Sequence, residues 1–369
     1  VEVVCSLIIM LSYLGWVSAQ VTALGLVFNV LSDGAISIPV GMVIGVVSIL
    51  AYTLFGGMWS VAITDFIQMI ILVVGLAILA VFAGNLAGGA DKVVALAASK
   101  DLFKFWPEPS FKDMVFFFAA AITMMLGSIP QQDVFQRVMS ANSESAATKG
   151  PVIGGVFYIL FAFVPMFLVA SALIIMPEQT AALLKEDPQK VLPTLVLTQM
   201  PFVMQVLFFG ALLSAIKSTA SATLLAPSVT FVENIWRQFQ PHMGDRQELR
   251  TMRITVLVFS ALVLLYAIRM QGTSIYEMVS GAYQVTLVGA FVPLVFGLYW
   301  SKATTQGAIF SIVLGLLTWV LFLATPAGGE FPAQLAGILA ALSGMLIGSL
   351  GPQAIKNSHA AHHRLVGTN

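Results

Sequence analysis

The chain has 369 residues, of which 59% are hydrophobic and 9% charged, and its 17 Lys and Arg balance 17 Asp and Glu to a net charge of zero. A soluble domain carries about 25% charged residues, so this chain cannot clothe itself against water and its solvent is the lipid bilayer. The same hydrophobicity excludes disorder, the missing basic excess excludes nucleic-acid binding, and a single cysteine, Cys5, leaves no disulfide framework and no thiolate metal site.

Val1 lies inside an apolar run with no initiator Met and no basic flank, which predicts a fragment whose N-terminal part is missing. Apolar stretches of about 20 residues predict ten transmembrane helices, near 3–28, 35–56, 60–83, 113–128, 148–176, 202–236, 252–269, 276–299, 304–325 and 332–350. These runs are too long and too evenly apolar for the alternating strands of a barrel. The fold class is therefore an all-α integral membrane protein, with one transmembrane domain over 1–350 and a tail over 351–369 that contains His359, His362 and His363. Within the spans, Gly41-x-x-x-Gly45 and Gly344-x-x-x-Gly348 predict close helix approach. Ala90–Ser99, in a long polar connection, reads as an interfacial helix. Arg237, Arg246, Arg250 and Arg253 form the densest arginine cluster and place 237–253, residue 1 and the tail in the cytoplasm. The expected location is the cell membrane, plasma or inner, with multiple passes.

Two places interrupt the helical pattern at membrane depth. In Leu126-Gly-Ser-Ile-Pro-Gln-Gln-Asp133, Pro130 cannot donate to the carbonyl of Leu126 and Gly127 eases departure from helical geometry. Two readings fit: a break lining a cavity, or a helix that ends at the interface and continues as a surface helix over Val134–Asn142. The second place is Ala211–Ser228, where Ser214, Ser218, Thr219, Ser221, Thr223 and Ser228 crowd one span and Pro227 frees the carbonyl of Thr223. Hydroxyls and free carbonyls are hard oxygen ligands that suit an alkali cation; the alternative is hydrogen bonding between helices.

Lys217 sits in the same span. A charge there costs about 2.5–3.5 kcal/mol on insertion scales and calls for a partner, a cavity or a lost proton. Asp65, at a helix end, is the acid that chemistry offers. No GxxxxGK[ST], TVGYG or HExxH pattern occurs, which removes ATP hydrolysis by a P-loop, a potassium-type filter and a zinc protease.

Three segments, GGMWSVAITDFIQ (Gly56–Gln68), SIPQQDVFQRVMSA (Ser128–Ala141) and LLSAIKSTASATLLAPSVTFVENI (Leu212–Ile235), resemble the sodium/solute symporter family in order and spacing from about residue 10 to 325. IPxQxxFQRV and the run at Met252 resemble its high-affinity choline-transporter-like branch. The resemblance implies a leucine-transporter-type inverted-repeat fold. On that template the first two core helices are missing, core helices three to ten occupy about 1–300, and two extra helices occupy about 304–350. It implies sodium ligands at Ser218, Thr219, the carbonyl of Ala215 and Asp65. It also implies a substrate face at Trp16, Gln20, Gly127, Ser128 and Gln131. Tyr158 stands where sugar-transporting members have lysine, and Gln131 where the choline branch has tryptophan. Lys217 is a coupling candidate. No metal beyond sodium is expected.

The expected function is secondary active transport: sodium, as the coupling ion, drives uptake of a small polar organic solute by alternating access, with no enzymatic step. Two alternatives stay open. One is a proton-coupled or cation-independent carrier using Lys217 and Asp65, and the other is a transporter-like sensing module.

Overall fold

A segment in hydrocarbon must satisfy its own backbone N–H and C=O groups, and a helix does so within one stretch of chain. The structure, a computed structural model, describes residues 1–355, apart from the side chains of Tyr52, residues 55–61 and Thr64, and its described elements are helical. The histidines of the expected tail lie outside the described residues.

In chain order, α1 (Glu2–Leu31) leads to α2 (Ile38–Leu86), the short α3 (Ala90–Ser99), α4 (Phe111–Gly127), α5 (Gln132–Met139), α6 (Glu144–Phe161) and α7 (Phe163–Ile175). Then α8 (Pro177–Glu186) and α9 (Val191–Gln199) fill a long connection before α10 (Phe202–Phe231), the one-turn α11 (Arg237–Phe239) and α12 (Asp245–Arg269). Next, α13 (Ile275–Thr286) and α14 (Val292–Tyr299) flank a wide π turn over Leu287–Phe291. Finally come α15 (Thr305–Ala324), the short α16 (Ala327–Glu330) and α17 (Ala333–Leu350).

Among the described residues, eight helices are long and apolar enough to cross a bilayer, or nine when α4 and α5 form one crossing bent by 45°. The expectation of ten differs at α2, where 35–56 and 60–83 join into one helix of 49 residues. Residues 57–64 contain neither proline nor charge, so nothing in them stops the helix. The expected second interruption also differs. α10 runs through Pro227 without ending, and the irregularity appears instead as a π turn at Val232–Trp236. One missing N–H near the end of a 30-residue helix removes a single bond, and packing on both sides of α10 holds the rest.

α1 is the hub. Its Tyr13, Val17, Val21 and Leu24 are buried against Met42, Val46 and Ile49 of α2, Ala220 and Leu224 of α10, and Phe259 and Val263 of α12. Lipid is as apolar as leucine, so such association rests on close packing rather than on escape from water. Glycine supplies that closeness where the sequence predicts it. A Cβ at Gly41 would lie 3.0 Å from Gly25 Cα, and one at Gly344 would lie 2.6 Å from the Phe310 carbonyl oxygen. The first joins α2 to α1, and the second joins α17 to α15.

Candidate functional site

The break between α4 and α5 is built from its sequence. Ile129 N–H bonds the carbonyl of Leu126 at 3.2 Å and Gln131 N–H that of Ser128 at 3.3 Å, so a tight turn replaces the helical bond that Pro130 cannot make. Pro130 and Gln131 are both buried, and the break therefore lies inside the protein. The surface-helix reading holds only for α5 beyond it, which buries none of its residues. Gly127 fits because a Cβ there would stand 2.4 Å from the carbonyl oxygen of Tyr283.

Gln131 reaches across to two helices. Its amide nitrogen donates to Ser12 Oγ of α1 at 2.9 Å and to Thr286 Oγ1 of α13 at 3.3 Å. Ser12 donates onward to the carbonyl of Ala282 at 2.8 Å, and Thr286 to that of Gly127 at 2.6 Å. The rings of Trp16 and Tyr283 stack at 5.3 Å with 21° between planes. Trp16 follows Ser12 by one helical turn, so aromatic pair and polar cluster share one face of α1. Of the residues expected to face substrate, Trp16, Gly127 and Gln131 come together here. Gln20 lies one turn further along α1, half-buried. Ser128 turns away, with its hydroxyl on the carbonyl of Met125 in its own helix at 3.1 Å.

A charged chain begins on the same α5. Tyr13, fully buried, donates to Asp133 Oδ1 at 2.5 Å and accepts the backbone N–H of Asp133 at 2.8 Å. The side chain of Gln131 does not cap α5, so the phenol of α1 caps it from another helix. Arg137 lies one turn on, 3.9 Å from Asp133 Oδ2 and 3.2 Å from Asp65 Oδ2 of α2. Asp65 in turn receives the hydroxyl of Ser218 from α10. Four helices thus meet through Tyr13, Asp133, Arg137, Asp65 and Ser218.

The hydroxyls of α10 divide between both roles weighed from sequence. Ser221 pairs with Thr53 of α2 at 2.8 Å, a bond between helices. Thr223 and Ser228 bond carbonyls of α10 itself, those of Thr219 and Leu224. Ser218, buried, meets a carboxylate. Thr219 is half-buried beside it, and Ala215 stands one turn before on the unbroken helix. Lys217 is half-buried; the described cation against Asp65 is Arg137. Sequence reasoning missed Arg137, Tyr13, Ser12, Tyr283 and Thr286. The Asp133/Arg137 spacing of four was a visible signal, while the others needed the fold.

A cavity of about 250 Å³ opens between α1, α2, α9 and α10, lined by residues such as Val27, Leu76, Leu192, Phe208 and Leu212. Its walls are nearly all apolar. It lacks the convergent polar groups that orient a polar solute, which the break supplies.

This chain is similar to known proteins. The human high affinity choline transporter 1 is 27% identical over 307 residues, covering 82% of this chain and 52% of its own. The high-affinity proline transporter PutP of Bacillus subtilis is 28% identical over 352 residues, 94% of this chain and 72% of its own. The chain spans about half the length of the choline transporters it matches. A solved Na+-coupled sialic acid symporter superposes with a TM-score of 0.71 at 22% identity, over 95% of this chain and 74% of that one; the fold is thus of the leucine-transporter type. The model of the sodium:solute symporter family matches residues 1–315, and the chain belongs to that family.

Proposed function

We propose that this chain performs sodium-coupled symport of a small polar organic solute by alternating access, with Ser218, Thr219, the carbonyl of Ala215 and Asp65 as sodium ligands. The observation that carries the reading is the meeting of Ser218 and Asp65 between α10 and α2. A carboxylate and a hydroxyl are hard oxygen donors suited to an alkali cation, and they sit inside a membrane domain whose family is named for sodium. Relatives named for choline, proline and myo-inositol transport support a small polar solute. Proton coupling through Lys217 and Asp65 draws less support, because the family to which the chain belongs is named for sodium.

Arg137 gives the coupling a physical route. Its side chain is 47% exposed, so it can leave Asp65 without becoming a buried charge. Sodium then takes its place on the carboxylate, and α5, freed from α2, moves about the joint at 128–130. The solute occupies the break, beside Gln131 and Trp16, and the same α5 is thereby answerable to both ligands. Reconstitution of the full-length protein into proteoliposomes tests this. An inward sodium gradient drives accumulation of proline above the level seen with potassium. Equal accumulation with both cations refutes sodium coupling.

A further inference from the structure

The hydrogen bonds around Gln131 fix its orientation. A hydroxyl has one proton to give. Ser12 spends its proton on the carbonyl of Ala282, and Thr286 has only carbonyls, those of Gly127 at 2.6 Å and Tyr283 at 3.2 Å, to donate to. Towards Gln131 both hydroxyls can therefore only accept, and the amide must present its NH2 to them. That leaves Gln131 Oε1, on a side chain 3% exposed, buried with no donor among the described residues. Buried acceptors are ordinarily paired. This polar cluster, at the bent break between α4 and α5, therefore holds an acceptor that no donor among the described residues meets.

We infer that Gln131 Oε1 receives an N–H of the transported solute, and that the solute is a primary or secondary amine carried as its ammonium ion. The inference rests on the symport reading above. The charge follows from the surroundings. Trp16 and Tyr283, stacked beside this cluster, are aromatic rings whose faces attract cations. An alcohol offers the donor without the charge. A fully N-methylated ammonium offers the charge without an N–H donor. An ammonium that keeps an N–H meets both conditions. A site built to hydrogen-bond a donor rejects the analogue lacking it strongly, because its own polar group is then left unpaired. Oε1 is sealed in this conformation, and access comes through the joint at 128–130 that precedes α5.

Matched pairs differing only in N-methylation test the inference: glycine and glycine betaine, proline and proline betaine, ethanolamine and choline. Binding is read as ligand-induced thermal stabilisation of the purified full-length protein in nanodiscs, with sodium present. In at least one pair the N–H member binds, more than about tenfold tighter than its methylated partner. Gln131→Leu, which has no acceptor, abolishes the difference, while Gln131→Glu, which keeps one, preserves it and shows that the position tolerates change. Equal or tighter binding of the methylated members overturns the inference. So does a preference that survives Gln131→Leu, or sodium stabilisation with no response to any of the six compounds. If sodium itself fails to stabilise the wild-type protein, the symport reading falls first and this one with it.

Discussion

Ser218 and Asp65 stand 153 positions apart in the chain and meet hydroxyl to carboxylate where α10 passes α2. Ser218 is buried, and Asp65 also holds Arg137 at 3.2 Å. One carboxylate thus joins the hydroxyl-rich helix to the helix that follows the break.

If Ser218 and Thr219 supply two of the ligands to sodium, Ser218→Ala and Thr219→Ala each leave the ion under-coordinated. Apparent sodium affinity in proteoliposome uptake falls about tenfold or more, equivalent to about 1.4 kcal/mol, while the amount of folded protein stays near wild type. A sodium dependence identical to wild type in the double variant removes both residues from the site.

Lys217 immediately precedes Ser218, rotated by about 100° on the helix. Its side chain need not point at the ion for its charge to act, since a low dielectric lengthens the reach of repulsion. Lys217→Met therefore tightens apparent sodium affinity, by about 1 kcal/mol or several-fold. Superimposable sodium curves for the two proteins would mean that this charge plays no part.

Much of this was legible in the sequence, and the limits have physical causes. Pro130 and Gly127 announce the break because they act on their own backbone, and the glycine pairs of α2 and α17 announce close contacts for the same local reason. Tyr13 as the cap of α5 could not be read, because the bond joins residues 120 positions apart. Arg137 as the cation on Asp65 was hidden likewise, and chemistry alone favoured Lys217 because it lies within a span. Pro227 misled in the other direction: a proline costs one backbone bond, and whether the helix ends there depends on packing that the sequence does not display.

Tyr13 satisfies both the carboxylate and the backbone N–H of Asp133, so Tyr13→Phe loses a charge-assisted bond and a helix cap together. The expected loss of stability is about 2 kcal/mol, seen as a lower unfolding midpoint in detergent. The same change costs less in an Asp133→Asn background, since bonded partners are non-additive. Strict additivity in that cycle would show that the two residues do not act on each other.

Gly127→Ala places a methyl 2.4 Å from the Tyr283 carbonyl oxygen. That oxygen belongs to the backbone of α13 and cannot swing aside. The helices must part, at about 1–3 kcal/mol, and transport falls sharply if the solute occupies the break as proposed. Gly155→Ala on α6, where an added methyl meets nothing within 4 Å, is the control and leaves both stability and transport unchanged. Wild-type transport by Gly127→Ala would separate this face from the solute path.

The most direct measurement is equilibrium binding of radiolabelled sodium to the purified full-length protein, compared with Asp65→Asn. The asparagine keeps an oxygen and the size of the side chain but removes the charge that balances the cation. Saturable binding in the wild type that weakens by about tenfold or more, about 1.4 kcal/mol, in Asp65→Asn is the predicted result. Equal sodium affinity in the two proteins would contradict the account, because the carboxylate that meets Ser218 would then not be holding the ion.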